Sequence, residues 1–187
     1  MRAFVAVELP QKIREAIAVC IADLKSAGAD VKWVETGNLH LTLKFLGEIT
    51  KPQAAQLKEA LMQTAAGLSS FTLRIEGIGA FPRTTSPRVI WLGVREGEKS
   101  LAALAERVEE TCVGLGFKKG ERPFSAHLTI GRVRSRERLA PLIKRLQLAE
   151  FCATEPAPVE KITLFQSLLS PKGSSYVSLA EIRLGSA

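Results

Sequence analysis

The sequence is short of the groups that usually organise covalent or metal chemistry. Its 187 residues include only two histidines and three cysteines. Those cysteines, Cys20, Cys112 and Cys152, are odd in number and widely spaced, with no C-x-x-C pair. A disulfide framework and a zinc ribbon are therefore not expected. No apolar run approaches the roughly 18 residues that mark a membrane-spanning helix. The opening segment, Met1 to Glu8, lacks the long apolar stretch and small-residue cleavage site of a signal peptide and reads as a strand. The expectation is a cytoplasmic protein with reduced thiols. What the chain does have is an ordinary globular composition, 46% hydrophobic and 24% charged. It is long enough to bury a core without disulfides or metals. Lysine and arginine (26) exceed aspartate and glutamate (19), and the net charge of +7 favours an anionic partner.

The hydrophobic period alternates between two and 3.6 along the chain. Residues 2–8 alternate and stop before Pro10. Residues 11–27 carry Ile13, Ile17, Cys20, Ile21 and Leu24 at helical spacing, closed by Gly28. Strands follow at 31–34 and 39–46, then a helix at 52–67 with Pro52 in its first turn, then a strand at 71–78. Residues 81–87, Phe-Pro-Arg-Thr-Thr-Ser-Pro, are turn chemistry and read as a hinge. Beyond them the order repeats: strand 89–95, helix 98–113, strand 126–133, helix 136–148 and strands 159–166 and 175–184. A shift of 87 residues lays the first half on the second. The expected fold is therefore α+β, with two similar β-α-β-α-β lobes, about 1–80 and 88–187, within one domain of residues 1–187. A pseudo-two-fold turns their antiparallel-rich sheets toward a central cleft, with helices outside.

The two histidines open the same tetrad, His40-Leu41-Thr42-Leu43 and His127-Leu128-Thr129-Ile130, 87 residues apart. In a strand, residues i and i+2 share a face. His40 with Thr42, and His127 with Thr129, thus present an imidazole and a hydroxyl together, while the leucines and Ile130 enter the core. Across a pseudo-two-fold the four groups converge on one pocket. Two imidazoles that titrate near neutrality can act as general base and general acid. The hydroxyls can donate to non-bridging phosphoryl oxygens. No activated covalent nucleophile accompanies them, and two histidines without carboxylates make a poor metal site. Metal-free phosphoryl transfer follows, with no cofactor.

Residues flanking the tetrads carry a family resemblance. Arg2-x-Phe4-x-Ala6-Val7, Trp33-Val34, Asn38 to Gly47, Pro87-Arg88-Val89-Ile90-Trp91, His127 to Arg132, and Gln166-Ser167-x-Leu169-Ser170-Pro171-x-Gly173-x-x-Tyr176 resemble the two-histidine phosphoesterases. More narrowly, they resemble the RNA 2′,3′-cyclic phosphodiesterases, also called 2′-5′ RNA ligases. Ser125-Ala126 departs from the proline that the family often places beside the second histidine. The resemblance implies hydrolysis of an RNA 2′,3′-cyclic phosphate end to a 2′-phosphomonoester, without metal or cofactor. It implies His127 as proton acceptor and His40 as donor; the near-symmetry of the lobes leaves that direction open. Weak 2′-5′ ligation is the expected reverse reaction.

Further contacts are expected around the pair. Lys44 shares the strand parity of His40 and Thr42 and would bring charge to phosphate. Arg132 has the wrong parity from His127, unless a bulge at Gly131 redirects it; the resemblance implies a substrate contact there. Phe45, Trp33, Trp91 and Phe124 either stack bases or fill the core. Tyr176 and Gln166 are candidate pocket lining. The run Arg132, Arg134, Arg136, Arg138, Lys144 and Arg145 either tracks an RNA backbone or forms a solvated helix entry. Two alternatives to the RNA-end reaction stay open: a phosphodiesterase for small cyclic phosphates, and a non-catalytic RNA-binding module. The protein is expected to act as a monomer, away from membranes.

Overall fold

The structure is a computed structural model that describes residues 1–151, 153, 155–170 and 173–185; Cys152 and Pro171 lie outside the described residues. The elements run β1 (Arg2–Glu8), α1 (Gln11–Lys25), β2 (Val31–Trp33), a 3₁₀ turn (Thr36–Asn38), β3 (His40–Glu48) and α2 (Lys51–Ala66). They continue β4 (Phe71–Leu73), β5 (Ile75–Arg83), β6 (Ser86–Val94), α3 (Glu98–Gly114), β7 (His127–Val133), α4 (Leu139–Leu148), β8 (Ala157–Val159), β9 (Lys161–Ser170) and β10 (Gly173–Arg183).

Two four-stranded antiparallel sheets carry the architecture, β10-β9-β1-β3 and β2-β7-β6-β5, beside a small β4-β8 pair. The α+β class and the two similar sheets agree with the sequence reading, and each sheet draws its strands from both halves of the chain. The first sheet takes β1 and β3 from the N-terminal half and β9 and β10 from the C-terminal half. The second takes β2 and β5 from the first half and β6 and β7 from the other. Helices cross over too: α1 touches α4, while α3 touches β3. Neither half holds a complete sheet, because β1 pairs with β9 and β7 pairs with β2 across the halves, so backbone groups of each half are satisfied by the other.

The 81–87 segment is not a hinge. β5 continues through Phe81-Pro82-Arg83, turns at Thr84-Thr85 and returns as β6, with Arg83 opposite Ser86. Its turn residues signalled a reversal, and cross-strand pairing makes that reversal a hairpin within one sheet. Similarly, the stretch expected as one strand over 71–78 is divided at Arg74 between β4 and β5, which join different sheets.

The helices form where the apolar spacing and caps indicated. Ile13, Ile17, Ile21 and Leu24 are the buried stripe of α1. Thr50 caps α2 in a capping box with Gln53, and Pro52 occupies the first turn. The apolar members of both tetrads, Leu41, Leu43, Leu128 and Ile130, are buried in the same core as those helix stripes. That leaves the opposite strand faces free for chemistry. The sheets meet where β3 and β7 bring Cα atoms within 8 Å of each other. No helix among the described residues is long and apolar enough to cross a membrane.

Candidate active site

His40 and His127 begin β3 and β7, and both line one cleft of about 560 Å³ with Thr42 and Thr129. The mechanism of placement is the same in both strands. His40 Nδ1 donates to the carbonyl of Asn38 at 2.7 Å, and His127 Nδ1 donates to the carbonyl of Ser125 at 2.8 Å. A carbonyl can only accept, so each Nδ1 carries the hydrogen and each Nε2 is the atom left for proton exchange.

Ring contacts hold the imidazoles. His40 packs on Phe4 at a centroid distance of 4.8 Å and edge-on to Tyr176 at 5.1 Å. His127 meets the ring of Phe81 edge-on at 5.2 Å. Burial among these rings pushes the His40 pKa below the ordinary histidine value, against smaller upward contributions from the Asn38 carbonyl and the Glu8 carboxylate.

A bulge in each motif strand selects the next residue to face the cleft. In β3, Thr42 lies opposite Ala6 and Lys44 opposite Val5, so Leu43 is the extra residue. In β7, Thr129 lies opposite Trp91 and Gly131 opposite Ile90, so Ile130 is the extra residue. The side-chain alternation resets at that point. Phe45 and Arg132 therefore join the histidine face, and both line the cleft. Arg132 is redirected as the bulge reading allowed, with the extra residue at Ile130, one position before Gly131.

The same bulge overturns the parity expected for Lys44. Its side chain is 6% exposed and turns away from the cleft, with Nζ 2.8 Å from Glu109 Oε1 and 2.7 Å from the Lys118 carbonyl. Lys44 is thus an anchor between β3, α3 and the 117–122 segment, and not a phosphate ligand. The equivalent in β7 is Gly131, where an added Cβ would lie 2.9 Å from both Trp33 and Val31. These registers also refine the repeat. Matching the partners of Thr42 and Thr129 relates Ala6 to Trp91, an offset of 85 residues, whereas the histidines differ by 87.

Other cleft residues were less visible in sequence. Arg2 lines the cleft beside Ser167, its partner in β9. Alternation along β1 puts Arg2 with Phe4 and Ala6, but only the pairing shows which face is the cleft. Asn38 lines the cleft while its Nδ2 donates to the Ser174 carbonyl at 2.7 Å, tying the turn before His40 to β10. Tyr176 and Phe124 are lining residues; Gln166, Trp33 and Trp91 are not. Of the basic run, only Arg132 reaches the cleft, and Arg145 instead pairs with Asp23 at 2.8 Å. Burial pushes the Tyr176 hydroxyl pKa up, and the Arg132 charge acting from the other sheet partly opposes this. The described cleft lining contains arginines but no carboxylate or thiol.

Comparison with known proteins decides the relationship. The LigT-like phosphoesterase family model matches residues 7–91 and again 92–176. The chain belongs to this family. As a LigT-like phosphoesterase it is a hydrolase that acts on phosphodiester bonds. It is 41% identical to the RNA 2′,3′-cyclic phosphodiesterase of Archaeoglobus fulgidus, over 96% of this chain and 98% of that protein. It is 37% identical to the protein of the same name from Methanothermobacter thermautotrophicus, over 98% and 99% of the two chains. Among solved structures, TT0787 of Thermus thermophilus superposes with a TM-score of 0.84 at 27% identity, covering 100% and 99% of the chains. Escherichia coli LigT complexed with 3′-AMP gives a TM-score of 0.78 at 28% identity, with 98% and 97% covered.

Proposed function

We propose that this LigT-like phosphoesterase hydrolyses RNA 2′,3′-cyclic phosphate ends to 2′-phosphomonoesters by paired histidine acid–base catalysis. The carrying observation is that two imidazoles, each with Nδ1 committed to a backbone carbonyl, share one cleft with Thr42, Thr129 and Arg132. The names of the two archaeal relatives and the 3′-AMP bound to E. coli LigT agree with an RNA-end substrate.

In this reading Nε2 of His127 takes a proton from water as the water oxygen attacks phosphorus. The bond from phosphorus to O3′ breaks, and Nε2–H of His40 delivers its proton to O3′. The products are a 2′-phosphate and a free 3′-hydroxyl. His127 leaves the cycle protonated and His40 neutral, and exchange with water restores the pair. The hydroxyls of Thr42 and Thr129 and the guanidinium of Arg132 hold the non-bridging oxygens, where donors to developing negative charge act most strongly. The anionic phosphodiester opposes the effect of burial on His40 and favours its protonated form in the complex. No step requires a metal or cofactor.

Reversal, with a 5′-hydroxyl in place of water, gives a weak 2′-5′ ligation. All four paired motif groups come from one chain, which supports action as a monomer, and a cytoplasmic setting fits the RNA substrate. The test is to incubate the protein, in excess chelator, with a short RNA ending in a 2′,3′-cyclic phosphate and identify the product by phosphorus NMR. A 2′-monoester that disappears in His40→Ala and His127→Ala is the expected result. An untouched RNA end, with turnover of 2′,3′-cyclic AMP alone, would move the assignment to small cyclic phosphates.

A further inference from the structure

We propose that a groove beside the cleft, reached over Phe45, is the subsite for the RNA nucleotides that precede the cyclic end. The inference rests on the RNA-end reading above and extends it from the reacting phosphate to the body of the strand.

Phe45 is 69% exposed, although it sits in a strand whose neighbouring residues Leu43 and Lys44 are buried. It lines two adjoining concavities, the catalytic cleft and a second groove of about 510 Å³ formed with Gly47 and the 117–122 segment. That segment carries Lys118, Lys119 and Arg122 against one acid, Glu121. Glu121 is taken by Lys118 at 2.9 Å, Lys119 lies in the field of the Glu109 carboxylate, and Arg122 has no ion pair among the described residues. An accessible aromatic ring beside a surface segment with an excess of cations is the combination that binds single-stranded nucleic acid, the ring by stacking a base and the cations by following phosphates.

The groove wall is also held in place. The buried Lys44 ammonium holds the Lys118 carbonyl at 2.7 Å, and Glu109 Oε1 accepts from the Gly120 backbone N–H at 2.7 Å. The segment is thereby fixed to β3 and α3 at two backbone points, close to the strand that carries His40 and Thr42. A strand whose terminal phosphate lies between the histidines can pass over Phe45 and place its upstream phosphates along this wall.

The experiment compares kcat/KM for 2′,3′-cyclic AMP and for a ten-nucleotide RNA with the same cyclic end. The proteins are the wild type, Phe45→Ala, and a charge-reversal variant with Lys118→Glu, Lys119→Glu and Arg122→Glu. Expected is a preference of the wild type for the decamer that falls about 10- to 100-fold in the charge-reversal variant, mainly through KM. The salt dependence of decamer use should weaken in parallel. A wild type that uses both substrates equally, or a charge-reversal variant that keeps the full preference, overturns the subsite. If neither substrate is hydrolysed, the function proposed above fails, and fluorescence anisotropy with a labelled decamer ending in a 2′,3′-diol still decides the groove. Binding lost on charge reversal supports it; equal binding by both proteins refutes it.

Discussion

Phe45 and Arg132 occupy the same place in the two motifs, five residues after the histidine and beyond an identical bulge, and both face the cleft. The near-symmetric scaffold therefore presents an aromatic surface on one side and a guanidinium on the other. The asymmetry suits a nucleotide, which has a base to stack and a phosphate to hold.

Replacing Arg132 with Ala is expected to lower kcat/KM by about 10- to 100-fold, the range for losing a hydrogen bond to a charged group. With the proposed role of the guanidinium at phosphate, the loss should be similar for a cyclic mononucleotide and an RNA. Steady-state kinetics with both substrates test this; a loss confined to long RNA would relocate Arg132 to strand binding.

The histidines are expected to behave as one unit. His40→Ala and His127→Ala should each reduce kcat by about 100- to 10,000-fold, the usual span for a general acid or base. The double variant should fall no further than about the level of the worse single variant. The fold should survive, because the buried leucines on the other strand face do the packing. Kinetics checked against circular dichroism separate the two effects. A double variant that falls to the product of both singles counts against a coupled pair.

The pH response has a defined sign at His40. Burial disfavours its cation, so in the free protein its titration should lie below the ordinary histidine value of about 6.5. The Glu8 carboxylate works in the opposite direction, so Glu8→Gln should move the titration lower still. Tyr176→Ala, which opens one side of the imidazole to water, should move it upward. With two histidines in the chain, proton NMR gives two ring titrations, and His127→Ala assigns them. A His40 midpoint above 6.5, or one insensitive to Glu8→Gln, contradicts this account. Activity should follow a bell whose limbs are macroscopic constants of the pair.

The Lys44–Glu109 pair should appear in stability. Burial alone would raise the Glu109 pKa, but hydrogen bonds from Lys44 and the Gly120 backbone outweigh it and hold the carboxyl below its usual range. A depressed carboxyl contributes stability above its unfolded value, about 4.3, and loses it as pH falls through the folded value. Glu109→Gln should therefore destabilise the protein by about 2 kcal/mol at neutral pH, less than for a fully buried pair because Glu109 keeps 25% exposure. Urea denaturation should show this difference narrowing below about pH 4. A gap independent of pH would mean that packing, and not the ion pair, sets the effect.

Much of the site was legible before any coordinates. Period-two patterning fixed the facing of His40 with Thr42 and of His127 with Thr129, because alternation is a local property of a strand. The buried stripe of α1 and the Pro52 start of α2 were local for the same reason. Lys44 was misplaced because a bulge is a property of two paired strands: nothing in the spacing of β3 announces that Leu43 has no partner in β1. Gln166, Arg2 and the 81–87 hairpin depended in the same way on which strand lies alongside. By itself, then, the sequence determined the repeated motif, the polar face of each motif strand and the chemistry those side chains can perform. Tertiary structure alone decided the exchange of strands between halves, the turn of Phe45 and Arg132 into the cleft, and the burial of Lys44 against Glu109. Those outcomes depend on backbone hydrogen bonds and contacts between residues far apart in the chain, which no local periodicity encodes.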